Sequence, residues 1–470
     1  MSELKNNIIL SNLSVTDISS EGKGVARSES KVLFIDGAVP GDIVTARITK
    51  NKKDFAEAKV IDIITPSPER EKPFCEHFGT CGGCKLQHFS YPAQLRYKQH
   101  QIEETFRRIG GIIPNEVLPI LGCEVNRFYR NRLDFSFSNQ AWIDNETWRN
   151  SSEMINLPAL GFHLPKLFHK ILDINNCYLQ PEPSNTIRLA VKKFAVENNL
   201  SFFDPINQTG LLRGLTIRNT LKGEVMVTVI FRENDEEKIP ALLNFLNDGF
   251  KQITSLNYVI NSKRNDTIYD LDVINFSGAD AIYEELDGLQ FRISPKSFFQ
   301  TNSAQAKNLY NITINFAGLT KNEIVYDLYT GTGSIALFAA KHCKTIYGIE
   351  QTEDAIKDAK VNAAINNTTN ALFFTGDTDK VLDESFIAKS GKPDVIITDP
   401  PRTGMHKDVV EKILSLNPNR IVYVSCNPAT QARDIQLLST NYSLIKIQPV
   451  DMFPHTQHVE NVALLMRTTN

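Results

Sequence analysis

Between Ile8 and Ile63 the chain alternates apolar and polar residues in short runs: Ile8 to Ile18, Lys31 to Ile35, Asp42 to Ile48 and Ala56 to Ile63. Gly22-Lys23-Gly24 and Val39-Pro40-Gly41-Asp42 break them. Alternation of this length predicts half-buried strands, and Gly/Pro/Asp clusters predict the turns between them. Five short strands in about sixty residues predict a closed OB-like barrel, which leaves no exposed edge. Pro66 to Pro73 then reads as a linker. The rhythm lengthens at Tyr91 to Ile109, which predicts an amphipathic helix rich in Gln, Arg and Lys. From Phe128 to Asp287 the pattern is mixed. Strand-like runs lie at Leu133–Ser138, Leu215–Asn219 and Val225–Phe231, and helices at Ser184–Asn198 and Ile239–Asp248. From residue 291 strands and helices alternate, with strands at Ile324–Leu328, Thr345–Ile349, Ala371–Phe374, Val395–Thr398 and Arg420–Val424. A final pair, Tyr442–Pro449 and Val459–Met466, closes the sheet. This βαβ rhythm predicts a doubly wound parallel sheet. Three units are expected: 1–66, 67–290 and 291–470.

Composition changes little in that picture. The chain has 470 residues, ordinary apolar and charged fractions and a net charge of −3. That net charge does not advertise a nucleic-acid binder, although a local basic groove would suffice. No stretch is long and apolar enough to span a membrane, and Met1–Asn7 lacks the apolar core of a signal peptide. A cytoplasmic protein is expected. Seven cysteines in a reducing compartment favour metal binding or catalysis over disulfides.

Three of those cysteines stand together in Cys75-Glu76-His77-Phe78-Gly79-Thr80-Cys81-Gly82-Gly83-Cys84. Two glycines let the backbone curl, so the thiols can wrap one centre. Zinc and an iron–sulfur cluster both accept thiolate ligands. The spacing does not choose between them, and Cys123 and Cys177 are both candidates for the fourth ligand.

The strand ends carry the remaining chemistry. Open α/β sheets bind ligands beyond the carboxyl ends of their strands. Thr330-Gly331-Thr332-Gly333-Ser334 follows the first strand and lets a ligand approach a helix amino terminus. Glu350 ends the second strand, where an acid can hold ribose hydroxyls. Asp377 ends the third, and Asp399-Pro400-Pro401 ends the fourth. Acids at successive strand ends point to S-adenosylmethionine rather than a dinucleotide. Cys426, in Ser425-Cys426-Asn427-Pro428, ends the fifth. A lone cysteine there is otherwise a small buried hydrophobe, but beside a methyl donor it suits a specific reaction. Carbon 5 of uracil is a poor nucleophile until a thiolate adds at carbon 6. A base must then remove the carbon-5 proton. Glu460, at the start of the last strand, is chosen for that role. His458 could instead act as base or position Glu460.

With Ser297-Phe298-Phe299-Gln300-Thr301-Asn302, Asp327-Leu328-Tyr329-Thr330-Gly331-Thr332-Gly333-Ser334, Asp399-Pro400-Pro401-Arg402, Ser425-Cys426-Asn427-Pro428 and His458-Val459-Glu460 in hand, the chain resembles the RNA (uracil-5-)-methyltransferase family. The resemblance spans essentially the whole chain. The segment 8–65 resembles a TRAM domain, an RNA-binding barrel, and with Cys75, Cys81 and Cys84 it is similar to the enzymes of this family that act on 23S rRNA. The resemblance implies a Rossmann-like class I methyltransferase domain behind a TRAM barrel and a central α+β iron–sulfur domain. It implies S-adenosylmethionine contacts at Gln300, Tyr329, Glu350, Asp377 and Asp399, with Cys426 as nucleophile and Glu460 as base. It also implies a [4Fe–4S] cluster on Cys75, Cys81, Cys84 and Cys177, and a helix near 91–126 that packs back on the catalytic domain. Ser334 stands where the rRNA enzymes have Asn, so no cofactor contact is assigned to it. The expected partner is RNA, 23S rRNA first and tRNA as the alternative, bound by a monomer away from membranes. A cytosine-5 methyltransferase is a weaker fit, because its cysteine has other neighbours. A non-catalytic RNA scaffold would have no need of both Cys426 and Glu460.

Overall fold

The computed structural model describes residues 8–28, 31–143, 157–165 and 167–468. Met1–Asn7 lies outside them. Five strands, β1 (Ile9–Ile18), β2 (Gly24–Ser28), β3 (Lys31–Asp36), β4 (Ile43–Asn51) and β5 (Phe55–Thr65), close a barrel in the order β1-β2-β3-β5-β4. β2 is the strand without an apolar signature. Its inward positions are Gly24 and Ala26, and a Cβ at Gly24 would lie 2.9 Å from both Ala38 and Val15. Only the smallest residues fit there, so the alternation is faint. The expected linker after the barrel is pinned. Arg70 forms a bidentate pair with the fully buried Asp42, at 3.0 and 2.6 Å, and the Ser67 N–H donates to the same carboxylate at 2.9 Å.

Helix α1 (Tyr91–Thr105) continues as a π-helical turn, Phe106–Gly110, before the short strand β6 (Glu116–Val117). Its apolar face buries Ile102 and Phe106 completely, in one core with Tyr423, Tyr442 and Ile435 of the carboxyl-terminal region. A Cβ at Gly110 would come within 3.3 Å of Ala432, a tight contact that the small glycine avoids. Loss of the Phe106 ring should cost about 3–5 kcal/mol.

The middle of the chain is a seven-stranded sheet of β7 (Arg132–Ser138), β8 (Ala159–Leu164), β9 (Leu167–Asp173), β10 (Leu212–Asn219), β11 (Val225–Phe231), β12 (Ile253–Ile260) and β13 (Val273–Gly278), ordered β13-β12-β11-β10-β7-β8-β9. Helices α2 (Ser184–Glu197) and α3 (Lys238–Gly249) share its core. A hairpin, β14 (Ile282–Leu286) and β15 (Leu289–Ile293), follows and spans residue 290.

The last region contains α4 (Ser303–Ala317), β16 (Ile324–Leu328), α5 (Ser334–Ala340), β17 (Thr345–Glu350), α6 (Glu353–Ile365), β18 (Ala371–Thr375), α7 (Thr378–Val381), α8 (Glu384–Ser390), β19 (Val395–Thr398), α9 (Lys407–Leu416), β20 (Arg420–Ser425), α10 (Pro428–Leu438), β21 (Tyr442–Val450) and β22 (Glu460–Arg467). Its sheet runs β18-β17-β16-β19-β20-β22-β21-β6. β18 to β20 are parallel, and β22 is antiparallel to both β20 and β21. The hairpin leans on this region, as Asn362 accepts from the Arg292 N–H at 2.8 Å. Among the described residues no helix is long and apolar enough to cross a membrane.

Candidate active site

Strand order fixes where the chemistry gathers. The chain leaves β16 in one direction for β17 and β18 and returns on its other side for β19 and β20, which makes β16/β19 the switch point where such sheets open a crevice. The parallel strands all end at this edge. β22 runs the other way, so its amino-terminal end reaches the same edge. The register pairs Ser425 with Asn461. Cys426, one residue past β20, therefore faces Glu460, the first residue of β22.

A cleft of about 1990 Å³ occupies this edge and is lined by Gln300, Tyr329, Glu350, Asp377, Asp399, Cys426 and Glu460. Asn427 caps α10, with its side chain accepting from the Ala429 N–H at 3.2 Å, and Pro428 takes the first turn, where its missing N–H costs nothing. Asn427 Nδ2 also donates to Arg402 O at 2.8 Å, tying the Cys426 loop to the Asp399 loop. Tyr329 holds φ +64°, a left-handed backbone that costs a non-glycine residue about 1–3 kcal/mol and is concentrated at functional sites.

The electrostatics follow from burial. The Glu460 carboxyl is pushed up to about 8 by burial and by the neighbouring Asp399, with Arg402 opposing. Burial lifts Asp399 to about 7. The Cys426 thiol is pushed up to about 11 by burial, then by Glu460 and Asp399, while Arg402 draws it down. The positive neighbour is present, but desolvation outweighs it. His458 is driven down to about 4 by burial and by Arg402, whose guanidinium donates to His458 Nδ1 at 3.0 Å. It is a neutral acceptor at neutral pH.

On the methyl-donor side, Glu350 accepts from the Thr352 N–H at 2.9 Å and the Gly331 N–H at 3.3 Å. A Cβ at Gly331 would meet no atom within 4 Å. Asp327 lines the cleft with Oδ1 buried and unpartnered, and burial raises its carboxyl to about 7. Asp377 is exposed and ion-paired to Lys380. Ser334 opens α5 and reaches the Tyr310 hydroxyl. Arg402 and Asp327 stood inside the quoted motifs without a role. Arg402 is the cation that opposes the rise of both the Glu460 carboxyl and the Cys426 thiol.

The cysteine group lies elsewhere. Cys75, Cys81, Cys84 and Cys177 are free thiols and do not line the cleft. Cys84 and Cys177 are raised to about 12 and about 11 by burial, and in both cases the other members of the group add to the rise. Cys123 stands apart. It donates to Asp451 O at 3.0 Å and accepts from Asn302 Nδ2 at 3.5 Å. Among the described residues no three His, Cys, Asp or Glu side chains are gathered to hold a metal ion. The expected iron–sulfur centre therefore has a shared neighbourhood of thiols but no formed ion site.

Comparison with known proteins sets this geometry in a family. The profile of the tRNA (uracil-5-)-methyltransferases matches residues 212–468, more than half of the chain. The chain belongs to this family. A TRAM domain profile matches residues 12–61, the closed barrel. An uncharacterized RNA methyltransferase of Bacteroides thetaiotaomicron is 52% identical over 95% of this chain and 99% of its own length. One from Porphyromonas gingivalis is 47% identical over 97% and 100%. The crystal structure of Pyrococcus abyssi tRNA (uracil-54, C5)-methyltransferase in complex with S-adenosyl-L-homocysteine superposes with a TM-score of 0.75, at 30% identity, over 98% of this chain and all of that one. The class I methyltransferase fold and the TRAM barrel expected from the sequence are both present.

Proposed function

We propose that this RNA methyltransferase transfers a methyl group from S-adenosylmethionine to carbon 5 of a uridine, with Cys426 as nucleophile and Glu460 as base. The pairing of Ser425 with Asn461 carries the reading, because it sets a thiol opposite a buried carboxyl over a cleft wide enough for a nucleoside and a cofactor. The donor's side is held by Gln300, Tyr329, Glu350, Asp377 and Asp399. Fit is supported by the open face at Gly331, the spare lone pairs of Glu350 and the unpartnered Asp327 Oδ1. Asp377 must exchange its ion pair with Lys380 to take part. When bound, S-adenosylmethionine supplies an electrophilic methyl group.

The protein's own steps begin with Cys426. Its Sγ adds to uracil carbon 6, and the thiol proton leaves to Asp399, whose carboxyl titrates near neutral pH, so that the Glu460 carboxylate stays free for the later step. Carbon 5 becomes nucleophilic and is methylated. Glu460 then removes the carbon-5 proton, the carbon 5–carbon 6 double bond re-forms and Cys426 departs as thiolate. His458, neutral and held by Arg402, is too weak a base for that proton and fits an orienting role. The target base has to leave its stack to reach a buried thiol.

Cys75, Cys81, Cys84 and Cys177 are proposed to carry a [4Fe–4S] cluster. Their mutual influence and free thiols support it, and a cage-shaped cluster spaces its ligands more widely than a single ion does. Iron and sulfide analysis of anaerobically purified protein checks this. We take residues 1–66, 67–290 and 291–470 as barrel, central and catalytic units, with 91–126 packed on the last.

For the substrate, the barrel-plus-cysteine layout supports 23S rRNA. A second reading, tRNA, is favoured by the Pyrococcus tRNA enzyme, which is similar over the whole chain, barrel included. The deciding experiment uses 5-fluorouridine-substituted 23S rRNA fragments and tRNA. Fluorine replaces the proton that Glu460 removes, so the adduct stalls on Cys426. An adduct with rRNA alone supports the first substrate, and one with tRNA alone supports the second. Failure of both, with protein that binds S-adenosylmethionine, overturns the nucleophile.

A further inference from the structure

The loop Asp451–Val459 delivers Glu460 to the cleft, and its anchors come largely from residues 85–98. Gln94 is fully buried on α1. Its Oε1 accepts from the His455 N–H at 2.9 Å, and its Nε2 lies 3.2 Å from His455 Nδ1. The same Nε2 donates to Leu86 O and Phe89 O, at 2.9 and 2.7 Å. The N–H groups of Lys85 and Leu86 both donate to His455 O, at 2.8 and 2.9 Å. Both backbone polar groups of His455 are thus held by another part of the chain. One turn along α1, Lys98 pairs with the buried Asp451 at 2.6 Å, and the Tyr91 hydroxyl donates to the same carboxylate at 2.9 Å. From the catalytic side, Asn302 Nδ2 donates to Met452 O at 2.9 Å.

His455 needs that grip. Its φ is +63°, a left-handed backbone that a histidine holds only when its surroundings over-determine it. Released, the residue would relax toward negative φ and redirect the chain that follows. That chain is His458-Val459-Glu460. Gln94 ties His455 both to α1 and to the Leu86–Phe89 turn.

We propose that Gln94 is a positioning residue for the elimination step, acting through His455 to aim Glu460 at the carbon-5 proton. The proposal rests on Glu460 being the base. It differs from a general packing role in one respect. Misaiming Glu460 should slow breakdown of the Cys426–RNA adduct and leave its formation intact, since Cys426 is placed by the end of β20 and by the tie from Asn427 to Arg402 rather than by Gln94 or His455.

The test compares wild type, Q94L, Q94E and E460Q on the unmodified transcript that the wild type methylates, with S-adenosylmethionine. Adduct is read as a denaturant-stable protein–RNA band and release as free methylated RNA. Q94L is expected to form adduct at the wild-type rate and to release product about 10- to 100-fold more slowly, the scale of a misplaced catalytic group. Q94E keeps the acceptor for the His455 N–H and should fall between the two. If E460Q fails to accumulate adduct, the base assignment itself falls. If E460Q accumulates adduct but Q94L loses formation and release together, or neither, Gln94 has no positioning role. Should Q94L not fold, Q94E decides by the same criterion.

Discussion

The cleft and the cysteine group are built by opposite means. Apart from Gln300, which precedes α4, each cleft residue named above sits at or just beyond a strand end, so the hydrogen-bonded ladder sets its neighbours. Cys426 faces Glu460 because Ser425 pairs with Asn461. Cys75 to Cys84 belong to no strand or helix. Single side-chain contacts place them: the Cys75 N–H donates to Gln87 Oε1 at 3.2 Å, the Asn175 N–H donates to His77 Nε2 at 2.9 Å, and Asn185 brackets Cys177. The two regions meet at His455, where the backbone next to Cys84 grips the loop that leads to Glu460.

The largest expected effect sharpens the cleft side of this contrast. C426A should abolish both methyl incorporation and the covalent adduct with fluorouridine RNA, while S-adenosylmethionine binding by calorimetry stays unchanged. Residual turnover above background would remove Cys426 from the chemistry. E460Q comes next. General-base loss is expected to lower turnover by about 10²–10⁴-fold and to trap the methylated adduct on natural RNA. A variant that turns over slowly without trapping would shift the base elsewhere.

A smaller effect is the pH response. Burial raises the Glu460 carboxyl from 4.5 to about 8, so its base form appears as pH rises through about 8. Single-turnover release should increase across that range. Stability should move the opposite way. A raised carboxyl stabilises the fold below its unfolded value and loses that contribution as pH rises through its folded one. The melting temperature of wild type relative to E460Q is therefore expected to fall between pH 4.5 and about 8. A flat difference would place Glu460 in water. The smallest expected effect on chemistry is that of C84S, or of stripping the proposed cluster with an iron chelator. Either should lower the melting temperature and slow turnover several-fold through the Lys85–Leu86 contact, leaving the affinity for S-adenosylmethionine as it was. A complete loss of adduct formation in folded C84S protein would erase the distinction between the two regions.

Most strands were legible because their burial is one-sided or complete, and apolar runs report burial. β2 was not, because its inward positions are Gly24 and Ala26, and small residues carry no hydrophobic signal. The π-helical turn at Phe106–Gly110 was read as plain helix, since the pattern of apolar positions does not distinguish the two. The linker from Pro66 to Pro73 was read as free because Asp42 and Arg70, which fasten it, lie far apart in the chain. The neutral state of His458 was equally hidden, as it depends on burial and on a guanidinium 56 residues away.

By itself the sequence determined what is local: a thiol, three acids and a Gly-rich turn at the ends of apolar runs, and motifs specific enough to name a family. Tertiary structure decided what these residues become to one another. The antiparallel entry of β22 reverses its direction in the sheet and sets Glu460 against Cys426. Burial at that edge then lifts the carboxyl to about 8 and the thiol to about 11. Register and desolvation are properties of neighbours in space, and a one-dimensional pattern specifies neither.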